Sequence, residues 1–155
     1  MEAIKELANN ILKVSLSGVI DEKSNFATTI GPIHHSLIVD CKNVLRINSM
    51  GVKSWITYFS QLTAKGNRVA LSNCPPCLVD QLSLIENFHS NCEIYSVMVP
   101  YECSGCNSEF LAPYPTKDLK ANGMTVPELK CAKCNAKASF SDIEEEYFAF
   151  MAYTK

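Results

Sequence analysis

The chain has 155 residues, 47% of them apolar, with 14 Lys and Arg against 16 Asp and Glu. That length suits one domain, or one small domain with an added module. A net charge of -2 argues against a bulk electrostatic attraction to nucleic acid or to an anionic membrane.

The first residues, Met1 to Asn10, read as polar and helix-like, with no apolar leader segment. No apolar run reaches the roughly 18 residues that span a bilayer. The expected location is therefore the cytoplasm, where thiols stay reduced. Eight cysteines then need a reason other than a disulfide framework.

From Ile11 to Ser17 apolar Leu12, Val14 and Leu16 alternate with Lys13, Ser15 and Ser17, the pattern of a half-buried strand. Gly18 follows, and Val19-Ile20 suits a short partner strand. His34-His35 reads as a solvated loop, with no cysteine or carboxylate nearby to complete a metal site. The run Leu37-Ile38-Val39, inside Ser36 to Cys41, suits a central strand. From Asn48 the period changes, and Val52, Trp55, Ile56, Phe59 and Leu62 fall on one face of a helix. Asn48 or Ser49 can cap its start, and Gly66 can end it. Tyr58 is offset from the inward face. Arg68 to Ser72 reads as a strand. Pro75 and Pro76 open a second helix with Leu78, Val79, Leu82 and Ile85 inward. Glu93 to Val99 reads as the closing strand. Strand, helix, strand, helix, strand is the order of right-handed parallel crossovers. The expected fold class is α/β, a mixed sheet with its helices on one face.

Composition changes near Pro100. From Tyr101 to about Phe140 three prolines and Gly123 interrupt the pattern, and few bulky apolar side chains remain. About 40 residues with so small a core need another source of stability. The cysteines supply one. Cys103-x-x-Cys106 and Cys131-x-x-Cys134 are separated by 24 residues. Brought together, they offer four thiolates in a tetrahedron, the donor set of a structural zinc ion, with iron as another occupant. The residues after each second cysteine, Asn107 and Asn135, tolerate the positive φ that such turns require. Four protein ligands leave no position for substrate, so this zinc is expected to be structural, one per chain. The expected division is 1–99 for the sheet-and-helix domain, 100–140 for the ribbon and 141–155 for a docked tail. Ser141 and Glu144 resemble a capping box for a short tail helix, with a strand as the alternative.

The ribbon carries five lysines against four acids. Four thiolates and one zinc ion lower that balance to about -1, a poor footprint for phosphate binding. Cys74-Pro-Pro-Cys77 opens a helix after a strand, the context of a redox dithiol, though no thioredoxin-like strand order accompanies it. Cys41 and Cys92 read as small buried hydrophobes.

Three segments together resemble the STAS family, that of bacterial anti-sigma factor antagonists: Leu16-Ser17-Gly18-Val19-Ile20-Asp21, Leu37-Ile38-Val39-Asp40 and Ile47-Asn48-Ser49-Met50-Gly51-Val52. Asn73-Cys74-Pro75-Pro76, leading into a helix, fits as well. The resemblance implies a STAS-like, non-enzymatic signalling domain that binds a protein partner, such as an anti-sigma factor or a kinase-like regulator. It implies an edge strand, helices on one side, and a partner surface at Asn48, Ser49, Met50 and Gly51. Regulated members carry a phosphorylated serine directly before the glycine. Here that position is Met50, with Ser49 one residue earlier. A binding role without the switch is expected, Ser49 serving as a cap. A thiol redox protein using Cys74 and Cys77, and a nucleic-acid-associated ribbon, are the alternatives.

Overall fold

The structure is a computed structural model that describes residues 1–34 and 36–154. It opens with a hairpin. Strand β1 (Glu2–Ala8) pairs antiparallel with β2 (Ile11–Ile20). Asn9 and Asn10 form the turn at φ 52° and 61°, the positive pair that a two-residue turn of this hand requires. The helix expected over Met1–Asn10 is thus a strand. Ala3 and Lys5 stand opposite buried Leu16 and Val14, so pairing with β2 overrides a weak helical propensity. Val19 and Ile20 belong to β2 itself. The strand continues past Gly18 (φ 92°) through register shifts rather than folding back.

A short helix that the sequence reading did not include, α1 (Phe26–Ile30), is capped by the Asn25 side chain, which accepts from the Thr28 N–H at 3.0 Å. Next come β3 (Ser36–Ile47), α2 (Ser49–Ala64), β4 (Val69–Ser72), α3 (Pro76–Leu84) and β5 (Glu93–Ile94). The five strands form one sheet in the order β1-β2-β3-β4-β5, parallel except for β1 at its edge. Gly66, just past α2, has φ 88°, the left-handed residue expected there.

The pleat decides which face is buried. Val14, Leu16, Leu37, Val39 and Leu71 lie in register on one face and are fully buried. They pack with Trp55, Phe59, Leu78 and Leu82 from α2 and α3. Lys13, Ser15, Asp40 and Ser72 share the opposite face and are exposed or half-buried. Helices therefore cover one side, as expected. An aromatic group forms its centre. Trp55 stacks on Phe88 at 5.1 Å between ring centroids and meets Phe59 and Phe26 at 4.6 and 5.8 Å. Such pairs add to area burial by about 0.5–1.5 kcal/mol each.

The strand expected over Glu93–Val99 is split. After β5 the chain crosses at Tyr95 into β6 (Ser96–Cys103), which belongs to a second sheet. That sheet adds β7 (Glu109–Pro115), β8 (Leu129–Lys130) and β9 (Lys137–Phe140), antiparallel in the order β7-β6-β9-β8. A helix absent from the sequence reading, α4 (Thr116–Ala121), follows β7 and buries Leu119. The junction between residues 99 and 100 falls inside β6, and one continuous apolar core runs through both sheets.

The tail docks as α5 (Glu144–Tyr147) and a 3-10 turn (Ala149–Ala152). No capping box forms: Ile143 is the cap residue and no side chain bonds the helix start. Burial of Tyr147, Phe148, Phe150 and Met151 against α3 and the second sheet holds it instead. Tyr147 Oη donates to the Met98 carbonyl at 2.6 Å, and Ser83 Oγ of α3 donates to the Tyr147 carbonyl at 3.1 Å. Among the described residues no helix is long and apolar enough to cross a membrane.

Candidate functional site

The four cysteines meet at the far end of β6, in the turns that join β6 to β7 and β8 to β9. Cys103 ends β6 and Cys131 follows β8, and both are buried. Cys106 and Cys134, at the far ends of the two turns, are exposed. The two turns are built alike. Asn107 N–H donates to the Cys103 carbonyl at 3.1 Å, and Asn135 N–H to that of Cys131 at 2.8 Å. Cys103 N–H donates to the Ser108 carbonyl at 2.9 Å, and Cys131 N–H to that of Ala136 at 2.8 Å. Asn107 and Asn135 adopt φ 57° and 62°, the left-handed conformation expected at both positions.

All four sulfurs lie within 4.8 Å of one another. Two of these separations, both between the turns, are 3.3 Å for Cys103–Cys134 and 3.7 Å for Cys106–Cys131. Backbone N–H groups aim at the sulfurs: Gly105 at Cys103 Sγ (3.3 Å) and Lys133 at Cys131 Sγ (3.4 Å). Such donors favour the thiolate. Hydrogen bonding from Ser108 holds the Cys106 thiol down at about 6. Bonds from Cys106 and Gly105 backbone lower Cys103, against the effect of burial. At Cys134 a backbone bond from Ala136 lowers the thiol, but its neighbours, Cys103 first, outweigh it and push it up to about 11. Sulfurs this close cannot all ionise without a compensating cation, which a bound metal supplies. The cluster fits a metal ion that all four cysteines would hold, closing its coordination and tying the two turns together.

Two further residues shape this centre and were not singled out in the sequence. A Cβ on Gly105 would lie 2.7 Å from the Ala136 methyl and 3.2 Å from Cys134 Sγ. Glycine is thus required for the turns to approach each other. Ser104 clamps the turns by donating both its N–H and its hydroxyl to the Lys137 carbonyl, at 3.0 and 2.8 Å. The Gly inside Cys-x-Gly-Cys was the available signal.

The second candidate region is the start of α2. Asn48 Oδ1 accepts from the Gly51 N–H at 2.9 Å, and Asn48 Nδ2 donates to Glu22 Oε2 at 3.0 Å. Asn48, rather than Ser49, is therefore the cap. Ser49 and Met50 project outward, Met50 being 53% exposed. Gly51 points the other way. It is buried, and a Cβ there would collide with the Ile20 carbonyl. Its role is close approach of α2 to the end of β2, and the surface consists of the three residues before it.

Cys74 and Cys77 flank the start of α3, but Cys74 is wholly buried and burial raises the Cys77 thiol. This is opposite to the depressed thiol of a redox nucleophile. The neighbouring Cys74 thiol and then burial raise Cys41, while burial pushes Cys92 up to about 12. All four pack as small apolar groups in or against the core. Of the paired histidines, His34 lies in a loop and His35 falls outside the described residues. No family model, curated protein or solved structure matches this chain.

Proposed function

We propose that the chain is a non-enzymatic, STAS-like protein-binding module stabilised by a structural zinc ribbon, acting as anti-sigma factor antagonists do. The observation that carries this reading is the start of α2: two exposed residues, Ser49 and Met50, on a helix terminus held rigid by Asn48 and seated by Gly51. A rigid, exposed helix start offers a partner a preformed surface with little ordering cost. The partner is a protein, an anti-sigma factor or a kinase-like regulator. Zinc is the proposed ion because two Cys-x-x-Cys turns are the common donor set of a structural zinc ion, although iron takes the same four thiolates. Zinc would leave the ribbon near -1 and unsuited to nucleic acid.

Affinity capture from lysate with wild-type protein and Met50→Asp tests the binding surface. Met50 lies outside the core, so the fold should persist. A partner held by wild type and released by Met50→Asp supports the reading, whereas a catch indifferent to the change removes it. Elemental analysis should find about one zinc per chain. A visible thiolate-to-iron absorption band would assign the site to iron instead.

A further inference from the structure

We propose that the groove along the outer side of α2 docks an acidic, amphipathic segment of a partner protein. The inference rests on the protein-binding reading above and names the chemistry of the partner.

The groove has two halves. The first, about 430 Å³, lies between α1 and the start of α2, with Phe26, Met50 and Tyr58 among its apolar lining and Lys53 at its side. The second, about 590 Å³, continues past Pro32 and Ile33 to Lys65. Ala27, Tyr58 and Gln61 border both halves, so the two adjoin along α2. Its helical wall is the ridge Lys53, Thr57, Gln61 and Lys65, all exposed and each four residues apart. The two lysines stand about 18 Å apart along the helix axis. Tyr58 Oη donates to the Gly31 carbonyl at 3.3 Å, which fixes the ring between the halves.

The electrostatics select the occupant. The protein as a whole has a net charge of -2, yet the groove is lined by Lys53 and Lys65 and by no Asp or Glu, Asp40 being the one acid between residues 23 and 79. Asp40 sits on the other face of the sheet, bonded to the Lys42 N–H and Asn73. Neither α1 nor α2 contains a carboxylate. Asp21 and Glu22 keep their charge while accepting from the Lys23 N–H and from Asn48, but neither lines the groove. Among the described residues neither Lys53 nor Lys65 has a salt-bridge partner. A groove with apolar patches, Phe26, Met50 and Tyr58 in one half and Pro32, Ile33 and Leu62 in the other, flanked by two cations, complements a segment whose aliphatic or aromatic side chains lie between acidic ones.

The test pans a displayed library of random peptides, each roughly 16 residues and so long enough to span the groove, against the zinc-loaded full chain. Enriched peptides should combine Asp or Glu with Leu, Ile or Phe. Their affinity should fall about tenfold or more in Lys53→Glu/Lys65→Glu and in Thr57→Glu, with unchanged thermal melts, and should weaken with added salt. Enrichment of peptides without acids, insensitivity to both variants, or no enrichment would each overturn the proposal. The broader reading is separable. A lysate partner lost from Met50→Asp but kept by Lys53→Glu/Lys65→Glu would leave protein binding standing and remove the acidic groove.

Discussion

At the scale of single residues, two glycines and three asparagines decide where chain segments can touch. Gly51 lets α2 meet the carbonyl of Ile20. Gly51→Ala should destabilise by roughly 1–3 kcal/mol, the cost of forcing atoms into a filled site. Ser49→Ala, on the exposed side, should change stability by less than about 0.5 kcal/mol. Urea unfolding of both variants measures the contrast, and equal losses would refute this account of Gly51. Asn48→Ala should cost about 1 kcal/mol, the loss of one cap. Asn107 and Asn135 hold positive φ in the two turns. Replacement by Gly should be tolerated, whereas Ala should cost about 1–2 kcal/mol at each and lower metal retention against a competing chelator. These asparagines were legible because a tetrahedral thiolate turn demands positive φ at a known position. Gly51 was legible as part of a motif but not as a buried contact, since only the packing of β2 against α2 reveals what a Cβ would strike.

At the scale of elements, amphipathic periodicity located α2 and α3 closely, because a helix that covers a sheet must carry its apolar face at period 3.6. Elements whose form depends on a partner were harder. β1 has a helix-compatible composition and becomes a strand through its pairing with β2. The tail is seated by the burial of Tyr147 and Phe150 rather than by a cap. Tyr147→Phe should therefore cost about 1 kcal/mol, since it leaves the Met98 carbonyl without its donor. Alkaline titration offers a second check. Burial raises the Tyr58 phenol from 10.0 to about 12 and raises Tyr147 as well, by burial first. An unfolded phenol ionises near 10. The stability tied to these neutral phenols is complete below that pH and is lost as pH climbs towards the folded values. Stability measured by denaturant should thus decline between about pH 10 and 12, and Tyr58→Phe should flatten the decline. A pH-independent curve in that window would contradict the burial of both rings.

At the scale of the whole molecule, the four cysteines and the first sheet are mechanically joined. β6 continues from the Cys74–Val97 bridge directly into Cys103. Phe140, at the end of β9, packs on Tyr147 and Phe148 at 5.6 and 5.4 Å, and these in turn lie against α3. Metal removal should therefore do more than release a peripheral loop. Chelation is expected to lower the melting temperature of the entire chain and to expose α3 amides to hydrogen exchange. Exchange confined to residues 103–137 would show instead that the ribbon unfolds alone. Apparent binding energies of about 10–16 kcal/mol for four-ligand zinc sites in peptides are comparable to the whole stability of a domain, which makes the effect measurable.

The α/β class, the main helices and the four cysteines that cluster were determined by the sequence alone. Periodicity and the paired Cys-x-x-Cys spacing are local consequences of burial and of tetrahedral coordination. Only the tertiary structure decided the rest. The N-terminal strand, the split after Ile94 and the second sheet depend on hydrogen bonds between segments far apart in the chain. So does the groove along α2. Its walls come from two helices and a loop whose side chains, taken singly, read as ordinary exposed polar and half-buried apolar residues.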